Sequence, residues 1–319
     1  MKTTCIVNNY NYGRFIIEAV DSALRQSFAF DEIIIVDDCS TDDSVKIIKE
    51  RYSNNPGIKL MLKERNEGQL SCFNAGFAAA TGDIIFFLDS DDVYEKVYLE
   101  AALKVYKEHP ECDFLISGWK EVADNRESPF SADLADLERA TKDFGFLAIA
   151  TIYTRELNLL KGRTSAISMK KEILERFMPI EIVRDWKISA DICICYGALL
   201  SGARQFLINL PLVKYRVHGN NLFLGRQKDI ADIYLHRLTK NRLMNFLVLK
   251  IGYGKDIYEA APYEFKTIKK PSLRSFFLYL RIILFSDTYF FRKIHGIGMI
   301  ARHFFKSMIP ASPAGRHRK

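Results

Sequence analysis

No run of 18 apolar residues occurs in the 319-residue chain, so no membrane-spanning helix is expected. The opening segment, MKTTCIVNNYNYG, is too short in apolar residues for a secretory leader. Cys5, Cys39, Cys72, Cys112, Cys193 and Cys195 form no C-x-x-C pair, and several fall in apolar, strand-like runs. Buried reduced thiols, a reducing compartment and no zinc site are the expectation. Neither G-x-G-x-x-G nor G-x-x-x-x-G-K-S/T is present, which argues against a dinucleotide site and against a P-loop. No RNA- or DNA-binding module accompanies the basic residues, so nucleic acid is not an expected partner.

What is present is a large apolar fraction, 48%, enough for a substantial core. Charge is unevenly spread. Residues 226–319 hold 19 Lys and Arg against 6 Asp and Glu, a net of +13, whereas residues 1–225 carry a net of −6. The basic end favours an anionic surface.

Up to residue 120 the chain alternates strand and helix signals. Strands are predicted at Thr3–Val7, Glu32–Asp38, Ile58–Leu62 and Asp83–Asp89. Helices are predicted at Phe15–Gln26, Asp42–Tyr52, Gln69–Thr81 and Glu95–His109. This order implies an α/β fold with a Rossmann-like, mostly parallel sheet and helices on both faces. Ligands of such sheets bind at the carboxyl ends of the strands.

Polar residues cluster at those ends: Asn8 to Asn11, then Asp37 and Asp38, then Asp89, Asp91 and Asp92. Like charges so close repel and are costly to desolvate. A divalent cation, Mg²⁺ or Mn²⁺, offsets both and prefers such oxygen ligands; a solvated acidic turn is the plainer reading. Asp38 reads either as an Asx turn or as an acceptor for a base edge such as the N3–H of uracil. Tyr10 reads as a platform for a base ring or as a half-buried aromatic.

Together these segments resemble the family 2 glycosyltransferases, which have the GT-A fold. VNNYNYGRFIIEAVDSALRQSF resembles the family's first strand and helix, and EIIIVDDCSTDDS its nucleotide-binding turn. NEGQLSCFNAGFAAATGDIIFFLDSDD resembles the stretch leading to its metal motif, and ADICICYGALLSGARQFLINLPLVKYRVHGNN the segment with its catalytic base. The resemblance implies metal-dependent, inverting transfer of a sugar from a nucleotide-diphosphate donor, UDP-sugar favoured, to a hydroxyl on a glycan or lipid-linked acceptor in cell-surface glycan synthesis. It implies Asn8, Tyr10, Asp38, Asn66 and Gly68 at the nucleotide, Asp89 and Asp91 on the cation and Asp191 as base. His218 would ligate the cation or touch the diphosphate. The chain departs from the pattern at Ala190, where Glu is common, and at Phe73, where Arg is common. Asp185 is a rival for the base, with an N-cap as its plainer role. A nucleotidyltransferase and a non-catalytic nucleotide-sugar sensor are the alternatives; the loop NNYNYGR has too few Gly and basic residues for the former.

The expected division is a GT-A domain at 1–224, with a nucleotide-sugar half to about 120 and an acceptor half at 121–224, and a basic helical region at 225–319. Residues 131–160 read as helical. In the basic region, Lys270, Arg274 and Arg281 fall within about 40° of one another on a helix starting near Pro271. Such helices suit an anionic membrane surface, and with it a cytoplasmic location peripheral at the inner face of the plasma membrane; a helical subdomain packed on the core with a solvated basic face is the plainer reading.

Overall fold

The computed structural model describes residues 1–123, 133–157, 162–187, 189–219 and 229–308. The first half runs β1 (Thr3–Asn9), α1 (Ile16–Leu24), β2 (Glu32–Asp37), α2 (Ser44–Tyr52), β3 (Ile58–Leu62), α3 (Gln69–Ala79), β4 (Ile84–Asp89), β5 (Val93–Tyr94) and α4 (Tyr98–Glu108). The second runs β6 (Phe114–Ala123), α5 (Leu137–Ala140), β7 (Thr141–Gly145), α6 (Ala148–Thr154), β8 (Ile167–Lys170), α7 (Lys171–Leu174), α8 (Ala190–Leu200) and β9 (Gln205–Val217). Four α-helices close the described part of the chain: α9 (Ile230–Ile251), α10 (Ala261–Thr267), α11 (Leu273–Phe285) and α12 (Phe290–Met308).

The sheet order is β3-β2-β1-β4-β8-β6-β9-β5, with β7 on β9. Strands β1 to β4 pair in parallel, as their order in the sequence predicts. Beyond β4 the pairings are antiparallel except β6 with β9. Strands β1, β2 and β4 are buried along most of their length because helices cover both faces, which is why they read as continuous apolar runs. Their register places the polar ends side by side, with Asn9 opposite Asp37 and Asn8 opposite Asp89. Pairing of Val93 with Lys214 then draws the end of β9 toward the Asp89–Asp92 corner.

The described part of 131–160 is not one helix. Strand β7 interrupts it, pairing with β9 and ending at Gly145 with φ of 71°. A Cβ there would lie 2.5 Å from Thr267 Oγ1, so the chain turns tightly against α10 where helical periodicity alone predicts continuity. Residues 131, 132 and 158–160 of that stretch lie outside the described residues.

Two apolar clusters result. The larger holds the sheet and its helices and includes Leu243, Met244 and Leu247 of α9. The smaller joins Ile149 and Ala150 of α6 to α10, α11 and α12. Helix α9, although basic in sequence, therefore packs into the main core, and the separate cluster begins at Ala261. Within the smaller cluster, buried Glu264 of α10 ties α6 to α11: it accepts from the amides of Ile149 (2.8 Å) and Ala150 (3.0 Å) and from the Tyr279 hydroxyl (2.6 Å). Without it, each buried amide would lose its partner at a cost of about 1–3 kcal/mol.

Candidate active site

Short side chains tie the strand ends to the backbone. Asn9 Nδ2 donates to Asp37 Oδ2 (2.7 Å), and Asp37 in turn accepts from the Ser40 amide and hydroxyl, which fixes the turn after β2. Next to it, Asp38 accepts from Lys63 Nζ (2.6 Å) and from the amides of Glu67 (3.1 Å) and Gly68 (2.6 Å). Burial opposes the Lys63 charge, but its bonds to Asp38 and Glu67 outweigh this and its pKa rises. Gly68 has φ of 92°, and a Cβ on it would stand 2.3 Å from the Lys187 Cα; only glycine lets this turn meet the segment before α8.

Gln69, which sequence reasoning did not single out, bridges the two carboxylate sites. Its Nε2 donates to Asp89 Oδ1 (2.6 Å) and Thr164 Oγ1 (3.2 Å), while its Oε1 accepts from the amide of Ala190 (2.9 Å). The next residue, Asp191, sits in the first turn of α8. One side chain thus sets the spacing between the end of β4 and the start of α8.

Asp89, Asp91 and Asp92 bring their carboxylate oxygens within 4.8 Å of one another, the one such cluster of three among the described residues. They differ in role. Asp92 is buried and committed to structure, accepting from Ser165 Oγ (2.6 Å) and the Arg216 amide (3.1 Å). Asp89 and Asp91 open on the cavity. Burial and the Asp91 charge push Asp89 up to about 7, against the lowering effect of bonds from Gln69 and Thr164. Two hard oxygen donors that repel each other and face a cavity fit Mg²⁺ or Mn²⁺.

The sequence reading has His218 either on the cation or at the diphosphate. In the structure its side chain is sealed from solvent between Phe15 and Tyr12, with Nε2 3.0 Å from Asp91 Oδ2. It borders the acidic corner through Asp91 and is not part of the cavity lining.

A cavity of about 1080 Å³ runs along this edge. Asn8, Tyr10, Asp38, Asn66, Gly68, Asp89, Asp91 and Asp191 all line it. Asn8 Oδ1 is buried without a hydrogen-bond partner among the described residues. Asp191 is held up to about 6 by burial, with the amide of Ile192 and the Arg163 charge pulling it down. Asp185 does not line the cavity; it pairs with Arg242 at 3.0 Å, so the rival carboxylate is spatially separate. Trp119, Arg163, Lys187 and Tyr215 also line the cavity, and Arg163 stacks 4.1 Å from the Tyr215 ring centroid. These residues come from separate segments, and no motif groups them. The opposite wall is helical: Glu156 and Leu157 follow α6, and Ile233, His236, Arg237 and Lys240 belong to α9. The six cysteines are all free, as expected.

A parallel sheet half that meets an antiparallel half, with an acidic corner between them, is the GT-A arrangement of nucleotide-sugar enzymes. Comparison with known proteins agrees. Residues 4–162 match glycosyl transferase family 2. The chain is 31% identical over 262 residues to uncharacterized glycosyltransferase alr2836 of Nostoc sp. strain PCC 7120, covering 80% of this chain and 78% of that protein. Glycosyltransferase GlyG of Streptococcus pneumoniae serotype 4 is 30% identical over 245 residues, covering 73% and 78%. The crystal structure of S. aureus TarS 1–349 in complex with UDP-GlcNAc shares the fold, with a TM-score of 0.56 at 21% identity over 96% of this chain and 90% of that one. The chain belongs to the family 2 glycosyltransferases.

Proposed function

We propose that this chain, through residues 1–224 and the α9 wall of the cavity, transfers a sugar, with inversion, from a nucleotide-diphosphate sugar to a hydroxyl acceptor in glycan synthesis, and that a UDP-sugar is the donor. The observation that carries this reading is that Asp191 and the Asp89–Asp91 pair open on one cavity, joined through Gln69. That TarS was crystallised with UDP-GlcNAc supports the choice of nucleotide.

In this reading Asn8, Tyr10, Asp38, Asn66 and Gly68 hold the nucleoside. Asp38 retains acceptor capacity beyond its bonds to Lys63 and the two amides, since a carboxylate offers about four lone-pair sites. Asp89 and Asp91 would hold Mg²⁺ or Mn²⁺, with His218 behind Asp91, and the bound cation neutralises charge on the diphosphate. The acceptor oxygen attacks the anomeric carbon on the face opposite the diphosphate. The new carbon–oxygen bond forms as the bond to the phosphate oxygen breaks, and the hydroxyl proton passes to the Asp191 carboxylate. A base with a pKa of about 6 is mostly unprotonated at neutral pH, yet basic enough to take that proton. The basic helices beyond α9 keep the enzyme at the cytoplasmic face of a membrane, where lipid-linked acceptors are found.

The test is release of UDP from UDP-sugars with Mn²⁺ and candidate acceptors. Asp91→Asn is expected to lower turnover on the order of a thousandfold while the protein stays folded. Release that neither a chelator nor this variant slows would overturn the cation assignment.

A further inference from the structure

We propose that α12 and the tip of the α11–α12 hairpin dock this protein on an anionic lipid bilayer. The face concerned is remote in composition from the transfer cleft, and the docking does not depend on the transfer reading.

Helix α12 carries three stripes where a surface helix normally carries two. At about 100° per residue, Gly296, Ile300 and Phe304 form one stripe, and all three are buried against the smaller core. Phe290, Ile294, Ala301, Phe305 and Met308 fall within roughly 60° of one another on a second stripe, and all but the half-buried Ala301 are exposed. Arg302 and Lys306, exposed as well, flank this apolar stripe. The protein itself needs only the first stripe. The second, apolar and bordered by cations, has the pattern of a helix lying in a bilayer interface.

The hairpin tip repeats the chemistry. Phe285, Tyr289, Phe290 and Phe291 are 74%, 77%, 70% and 83% exposed. Tyr rings concentrate at the headgroup boundary, and Phe rings sit on the apolar face of helices lying in the interface. Exposed Arg274 and Arg281 lie on α11 beside exposed Leu273, Phe277 and Leu284.

Charge selects the occupant. Residues 265–308 contain nine Lys and Arg and one acidic residue, Asp287. Two copies of this chain meeting through the hairpin would bring like charges together, whereas an anionic bilayer complements them. A nucleic acid would satisfy the cations but leave the Phe and Ile stripe in water. Among the described residues no helix is long and apolar enough to cross a membrane, so the hairpin lies on the surface. From the middle of α11, Tyr279 bonds Glu264 of α10, which holds the first turn of α6, and the residues after α6 line the cleft. A docked hairpin therefore stands one packed helix from that wall, which suits an acceptor carried by the same bilayer; this consequence alone rests on the transfer reading.

The experiment is co-sedimentation of the full chain with phosphatidylcholine vesicles, with and without phosphatidylglycerol, at low and high salt. Two double variants accompany it: Phe291→Ser with Phe305→Ser, and Arg302→Glu with Lys306→Glu. Binding is expected only with phosphatidylglycerol, to weaken in high salt, and to fall at least about tenfold in each variant. Thermal stability and UDP release with soluble substrates should be unchanged, which separates a docking failure from a failure of the transfer reading. The proposal is overturned by no sedimentation with phosphatidylglycerol vesicles, by equal sedimentation without that lipid, or by variants that bind like the parent. It is also overturned if the aromatic double variant dissolves a dimer seen by light scattering and leaves vesicle binding intact.

Discussion

The β1–β4 wall of the cleft and the α6–α9 wall hold their polar groups in opposite ways. On the strand side, Asp37, Asp38 and Asn9 are short, buried and bonded to backbone or to each other. On the helix side, Glu156, Arg237 and Lys240 are long side chains, and Lys240 meets Glu156 at 2.7 Å near solvent. Ordering a long charged side chain costs up to about 2 kcal/mol of rotamer entropy, whereas the strand-end groups have little freedom left to lose. Under the proposed function, a preorganised wall suits the constant ligand portion, the nucleotide diphosphate, and an adaptable wall suits the variable portion, the acceptor.

The comparison is broken most severely at Gly68. Gly68→Ala places a Cβ into the Lys187 backbone in a left-handed conformation, and a loss of about 2–4 kcal/mol of stability is expected. The melting temperature should fall by several degrees and donor binding should weaken, because the Gly68 amide holds Asp38. A variant as stable as the parent, with unchanged donor affinity, would show that this wall is not rigid. Lys240→Ala should be far milder. Its pair with the exposed Glu156 stabilises the protein by less than about 1 kcal/mol, so thermal stability and donor affinity should hold while the acceptor KM changes. A change in donor affinity instead would erase the division between the walls.

Much of the strand wall was legible in the sequence. Helical and strand periodicities over 3–109 place β1 to β4 and their helices, and the carboxylates follow because parallel strands align their ends. Strands β5, β6 and β9 of the sheet's second half were not. Strands β6 and β9 pair in parallel although more than eighty residues separate them in the chain, and β5 is two residues long. Gln69 escaped because nothing in its neighbourhood marks a glutamine that must reach Asp89 with one end and the Ala190 amide with the other. Arg163 and Trp119 escaped for the same reason: they meet only in the fold. His218 was found by its motif, but its burial against Phe15 and Tyr12 depends on β9 pairing with β5.

In the proposed mechanism Asp191 is the point at which the two walls have to cooperate, since it lines the same cavity as Asp89 and Asp91 from the start of α8. The most direct measurement is single-turnover sugar transfer as a function of pH, for the parent and for Asp191→Asn, with donor affinity measured alongside. For the parent, the rate should rise with pH through about 6, because the carboxylate serves as base only once its raised pKa is passed. For Asp191→Asn the rate should drop by about 10²–10⁴-fold with donor affinity intact. Near-parental turnover in the variant would contradict the account and remove Asp191 as the base.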